Sequence, residues 1–185
     1  MGYRYTSLTI TLVGLLIIFG NSCSRYKDGE LLFQEANAGM GFHYPYFLWM
    51  PDDFDPKEEK YLIVEPNNSG FADDDLNKHI EKARRIASIE YYTGNYVARV
   101  FNYPVIVPVF PRSKTHWQVY THALDRDVIL QKENKLEKLD LQLLAMVADA
   151  RKQLLERGYQ IKEDFFMTGF SASGTFANRF SLLHP

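Results

Sequence analysis

Cys23 is the only cysteine in the chain, so no intrachain disulfide is possible and the fold must be held by its core. Charge of one sign is equally scarce. The 21 basic residues meet 23 acidic ones for a net charge of -2, and without a basic excess nucleic acid is excluded as the expected partner. The apolar stretch over residues 5–19 falls short of the about 20 residues that a bilayer-spanning helix needs. There is no internal repeat, no low-complexity tract and no linker to mark a second domain. With 46% hydrophobic and 24% charged residues, the composition is that of one globular domain.

Arg4 precedes that apolar stretch, which ends in Gly20-Asn21-Ser22-Cys23 and reads as an export signal. A lone cysteine after small residues at such a place resembles a bacterial lipoprotein processing site. The resemblance implies that residues 1–22 are a signal peptide and that Cys23 is lipidated, holding the domain to a membrane surface in the cell envelope. Gly20 stands where such signals usually carry leucine, and ordinary cleaved secretion or an uncleaved anchor are the alternatives. Residues 23–30 then form a tether and residues 31–185 the domain.

Apolar runs predict strands over residues 44–50, 61–64, 105–110 and 165–168, with a weaker one over 31–34. Residues 51–56 are rich in proline and aspartate, so the first two good strands read as antiparallel neighbours across a turn. Leu76, Ile80, Ala83 and Ala87 fall on one helical face, behind a triple aspartate, Asp73 to Asp75, that reads as a cap rather than a metal site. Leu136, Leu143, Val147, Ala150 and Leu154 form a second stripe that ends at Gly158. Strands alternating with helices through long crossovers give an α/β class, a mostly parallel sheet with helices on both faces.

The chemistry is concentrated in Thr168-Gly169-Phe170-Ser171-Ala172-Ser173-Gly174, where a buried strand runs through small residues into a helix. A serine at such a turn is lifted above the sheet only if the residues two before and two after it are small, because the serine backbone is strained and larger neighbours collide. Gly169 and Ser173 fill those places, and Ser173 departs from the glycine usual there. The alternative is that Ser171 merely caps the helix.

Here the chain resembles the α/β-hydrolase superfamily, in its secreted esterase and polyester-depolymerase branch, from about Tyr46 onward. The likeness includes a strand ending in proline (Phe47-Leu48-Trp49-Met50-Pro51) ahead of a strand leading into an oxyanion loop (residues 61–70). The resemblance implies that Ser171 is a nucleophile forming an acyl-enzyme with a small-molecule or polymer ester, with Ala172 giving one oxyanion amide. It implies no metal and no organic cofactor. The family's loop usually begins His-Gly; this one reads Glu65-Pro66-Asn67-Asn68-Ser69-Gly70. Pro66 has no N–H, so the second oxyanion amide is expected from Asn68 or, second, Asn67, although Asn-Asn-Ser-Gly also reads as a plain turn.

The family's acid and histidine follow the serine, yet only 14 residues follow Ser171, none of them acidic, and the one histidine, His184, falls at the far end of the helix. The expectation is the N-terminal portion of a hydrolase, incomplete and inactive on its own. His116, Trp117 and His122 follow the third good strand and are read as substrate-binding; His43 and His79 are read as structural, and Asp125-Arg126-Asp127 as a local ion-pair cluster. A serine peptidase of the same fold, or a non-catalytic surface lipoprotein that uses the fold as a binding module, are the competing readings.

Overall fold

The computed structural model describes residues 29–67, 70–89 and 92–185. The export segment, Cys23 and most of the tether lie outside the described residues, as does Asn68. Five strands form one sheet: β1 (Gly29–Gln34), β2 (Tyr46–Pro51), β3 (Glu59–Val64), β4 (Val105–Pro108) and β5 (Gln160–Met167), in the order β1-β2-β4-β3-β5. β1 pairs antiparallel with β2 and β2 with β4, whereas β3 lies parallel to both β4 and β5. The sheet is therefore mixed, and its parallel half, β4-β3-β5, carries the elbow serine.

The α/β class holds, with helices on both faces. Strand residues sort by their two-residue period. Tyr46, Leu48, Leu62, Val64 and Ile106 face one way, toward α4 (Leu139–Glu156) and α5 (Ala172–Leu183). Phe47, Trp49, Ile63, Val105 and Val107 face the other, toward α1 (Leu76–Ser88) and α2 (Thr93–Phe101). A one-turn helix, α3 (Arg126–Ile129), completes the set. Among the described residues no helix is long and apolar enough to cross a membrane.

β2 and β3 are not the antiparallel neighbours that the turn between them implied: β4 sits between them. The reason is burial. Leu62, Ile63 and Val64 are all buried, on alternating faces, and need a partner strand on each side, which β4 and β5 supply.

The second helical stripe is as expected, with Leu143, Val147, Ala150 and Leu154 buried, but α4 begins at Leu139, so Leu136 packs from the preceding loop. Gly158 takes φ 91 just past the helix, a left-handed conformation that glycine adopts without strain. A buried polar knot locks α4 onto the sheet: Tyr46 Oη donates to Asp149 Oδ2 at 2.6 Å, and Gln153 Nε2 donates to both.

The aspartates divide their work. Asp75 caps α1, accepting from Asn77 N at 3.0 Å. Asp73 accepts from Lys78, and Asp74 accepts from the hydroxyls of Ser113 and Thr115. These hydrogen bonds hold the Asp74 carboxyl well below the usual carboxylate range and tie the loop after β3 to the loop after β4. Asp125 is a cap as well, accepting from Val128 N and Tyr120 N, which corrects its reading as part of an ion-pair cluster.

Candidate active site

β5 runs through Thr168 and Gly169 into α5, and Thr168 N donates to Val64 O at 2.9 Å, so the turn begins while still tied to β3. Ser171 stands at its apex with φ 56 and ψ -118. Asn102, Leu124 and Lys138 also have positive φ, but with ψ near 50 they occupy the ordinary left-handed well. Ser171 does not. Its conformation is one that glycine tolerates and that costs a side-chain-bearing residue on the order of 1–3 kcal/mol.

Two neighbours make the turn possible. A Cβ on Gly169 would lie 2.5 Å from both the carbonyl carbon and oxygen of Ser173 and 2.7 Å from Gly174 N, so only glycine fits there. Ser173, the departure from the family pattern, is buried, and its hydroxyl closes the turn: Phe170 N donates to Ser173 Oγ at 2.9 Å, and Ser173 Oγ donates to Phe170 O at 3.0 Å. The extra oxygen therefore bonds both the N–H and the carbonyl of Phe170, tying the turn to the start of α5.

The capping alternative for Ser171 fails on geometry, because its side chain makes no cap bond to the helix amides. The residue is exposed, and α5 begins behind it with Ala172. The Ala172 N–H belongs to the first turn of the helix, where helical geometry provides no partner and the dipole is positive.

Opposite the elbow, the strand β3 runs into the loop 65–70. Asn67 is fully buried and clamps the end of β4 through its side chain: Phe110 N donates to Asn67 Oδ1 at 2.8 Å, and Asn67 Nδ2 donates to Phe110 O at 3.1 Å. The chain leaving β3 is thus fixed at Asn67. Sequence reading weighed only the Asn67 amide; a buried asparagine after a strand was the available signal for the side-chain role.

Glu65 was missed altogether. It ends β3 with 5% of its surface exposed, and its Oε2 accepts from Gly94 N at 2.6 Å in the first turn of α2. Burial pushes its carboxyl up to about 7, although the Gly94 hydrogen bond pulls the other way. The signal was an acidic residue directly after a continuous apolar run.

The histidines do not gather at the serine. His122 is fully buried, its Nε2 2.8 Å from Phe110 O. A carbonyl only accepts, so Nε2 carries the proton. Burial lowers the imidazole to about 4 and keeps it neutral. This corrects its reading as substrate-binding: the ring is packed beneath the loops, edge-on to His79 at 5.9 Å. His79 is likewise buried and structural, its Nε2 2.9 Å from Asp73 O.

His116 and Trp117 are exposed on the loop after β4. His116 lines a cavity of about 480 Å³ with Tyr44, Val119 and Leu136, whose walls do not include Ser171. Trp117 is 68% exposed. His184 pairs with Asp140 at 2.8 Å, beyond the other end of α5 and about 18 Å of helix from Ser171.

No protein-family model matches the chain, and no curated protein does. Among solved structures it is similar to a thermostable esterase (23% identity, TM-score 0.45, 84% of this chain and 37% of that one). It is similar also to poly(aspartic acid) hydrolase-1 from Sphingomonas sp. KT-1 (16% identity, TM-score 0.48, 84% of this chain and 51% of that one). The chain thus spans between about a third and a half of their lengths. These likenesses concern the fold, whose α/β character is already plain from the sheet.

Proposed function

We propose that this protein is a serine hydrolase of the α/β-hydrolase superfamily, a carboxylic-ester hydrolase that works through an acyl-enzyme on Ser171. The observation that carries the reading is the Ser171 backbone, φ 56 and ψ -118, held there by a glycine that admits no Cβ while the hydroxyl caps nothing. Strain of this kind survives only where the surroundings enforce it, and it serves to present a nucleophile.

Ser171 Oγ attacks the ester carbonyl carbon, the carbonyl oxygen gains the negative charge, and the alkoxide leaves with a proton to give the acyl-enzyme, which water then hydrolyses. The Ala172 amide supplies one oxyanion donor, and the loop amides at Asn67 or Asn68 supply the second. The described histidines are bonded elsewhere, His79 to Asp73, His122 to Phe110 and His184 to Asp140, and the proposed acyl transfer draws its general base and acid from none of these three. The lone Cys23 after an export-like segment supports the further reading that the domain is held in the cell envelope by acyl chains.

Turnover of short-chain p-nitrophenyl esters by the full-length protein tests the reading. Activity lost in Ser171→Ala supports it. A full-length protein that folds yet hydrolyses no ester favours the binding-module alternative, whose support is the missing histidine at the serine.

A further inference from the structure

Glu65 occupies the place where the resembling family begins its oxyanion loop with histidine, and nothing in the acyl-transfer scheme above uses it. Its environment is unusual for a carboxyl. β4 takes the Glu65 N–H through Ile106 O at 3.0 Å, which fixes the backbone, and the side chain passes to the α2 side of the sheet. There Oε2 meets the Gly94 amide, and the fit is tight: a Cβ on Gly94 would run into Oε2 itself and come within 3.2 Å of the Thr168 methyl. Gly94 in the first turn of α2 therefore lies close both to the Glu65 side chain at the start of the loop and to the Thr168 methyl at the start of the elbow.

Among the described residues, the groups that face this carboxyl are uncharged. α2 offers the Gly94 N–H, β4 the Ile106 carbonyl already taken by the Glu65 amide, and the turn after β5 the Thr168 methyl. Burial and the single amide bond are the forces on it. Among the described residues no cation acts on this carboxyl, and the Asn67 amide follows two residues on in the chain.

We propose that Glu65 is a positioning residue of the Ser171 site that acts as a neutral carboxylic acid, its carboxyl pinning the start of the oxyanion loop to α2 beside the elbow, and that loss of its proton slows acylation. The inference rests on the reading of Ser171 as nucleophile. The physical reason is electrostatic: a buried carboxylate at the start of the loop proposed to hold the oxyanion opposes the charge that develops there, and at an effective dielectric constant of about 20 two like charges within roughly 10 Å of each other repel enough to slow the step on the order of tenfold. The neutral acid keeps the Gly94 bond and has no such effect. Burial, which places the carboxyl near 7, makes the neutral form available at ordinary pH.

The test is the rate of fluorophosphonate labelling of the full-length protein between pH 5 and 9. Wild type, Glu65→Gln and Glu65→Asp are compared, with Ser171→Ala as control. Gln keeps an acceptor for Gly94 and carries no charge, so the ratio of its rate to that of wild type is expected near one at low pH. The ratio should rise on the order of tenfold through pH 7, and taking it cancels the contribution of the general base. Asp keeps the ionisable group and is expected to keep the falling limb.

A ratio that stays flat with pH overturns the role of Glu65 while leaving Ser171 intact. Unchanged labelling of Ser171→Ala overturns the nucleophile and the inference with it. Should Glu65→Gln not fold, the carboxyl carbon resonance of Glu65 in wild type decides. A titration near 7 that matches the midpoint of the labelling rate supports the role, and one below 5 refutes it.

Discussion

Replacing Ser171 with glycine is expected to make the protein more stable than replacing it with alanine, the reverse of the ordinary order. At an unstrained position glycine costs roughly 0.5–1 kcal/mol relative to alanine, through the greater freedom of the unfolded chain. At φ 56 and ψ -118 the balance changes, because alanine keeps the Cβ that makes this conformation costly and glycine removes it. The strain amounts to on the order of 1–3 kcal/mol, so after the entropic cost glycine should lead by about 1 kcal/mol. No hydrogen bond complicates the comparison, since the Ser171 hydroxyl caps nothing and alanine should match wild type closely. For a domain of this size the lead corresponds to about 2–4 °C in Tm. Thermal and urea unfolding of the three full-length proteins, followed by circular dichroism, measures it. A glycine variant less stable than alanine by the usual amount would mean that the elbow is not strained, and the strongest argument for a nucleophile would go with it.

Other perturbations give sharp expectations. Gly169→Ala should cost about 1–3 kcal/mol in urea unfolding, because the new methyl meets the backbone of Ser173 and Gly174, which has no free space to yield. Asn67→Ala should cost about 1–3 kcal/mol by leaving the buried Phe110 N–H without an acceptor, while Phe110 O retains His122. Two buried groups contribute opposed pH dependences to stability. Glu65 binds its proton more tightly folded than unfolded, so its contribution is full below its unfolded value near 4.5 and is lost as pH rises through about 7. His122 is depressed to about 4, so its contribution is full above about 6.5 and is lost as pH falls. The two slopes oppose each other over nearly the same window and partly cancel. Glu65→Gln should match wild type near pH 4.5 and exceed it by about 3 kcal/mol above pH 7, measured by urea denaturation at each pH; equal stability of the two at high pH would show that the Glu65 carboxyl is not buried as a neutral acid.

Much of this arrangement was legible in the residues because the determinants are local. The period of Leu143, Val147, Ala150 and Leu154 and the stop at Gly158 define α4. The run of small residues around Ser171 announces the elbow, since a sharp turn excludes side chains whatever surrounds it. What escaped notice depends on contacts distant in sequence. α2, built from Tyr96, Val97, Val100 and Phe101, is not among the helices that the two apolar stripes predict, and it forms because Ala98 packs on the sheet and the buried Asn95 donates to Ala87 O at the end of α1. β4 inserts between β2 and β3 because the burial of β3 on both faces demands it, which a turn-like linker does not reveal. His122 lies on a loop by sequence and in the core by structure, because Phe110 O offers a partner that only the fold brings near. Ser173 looked like a flaw in the motif, and its hydroxyl proves to complete the turn.

The central claim is that Ser171 is a nucleophile, and the most direct measurement is the site of covalent modification in the full-length protein. After exposure to a fluorophosphonate, mass spectrometry of the digested protein should find one phosphonyl adduct, on the peptide carrying Ser171, and none in Ser171→Ala. An adduct on another residue, or a folded protein that takes up no reagent at any pH, would contradict the account.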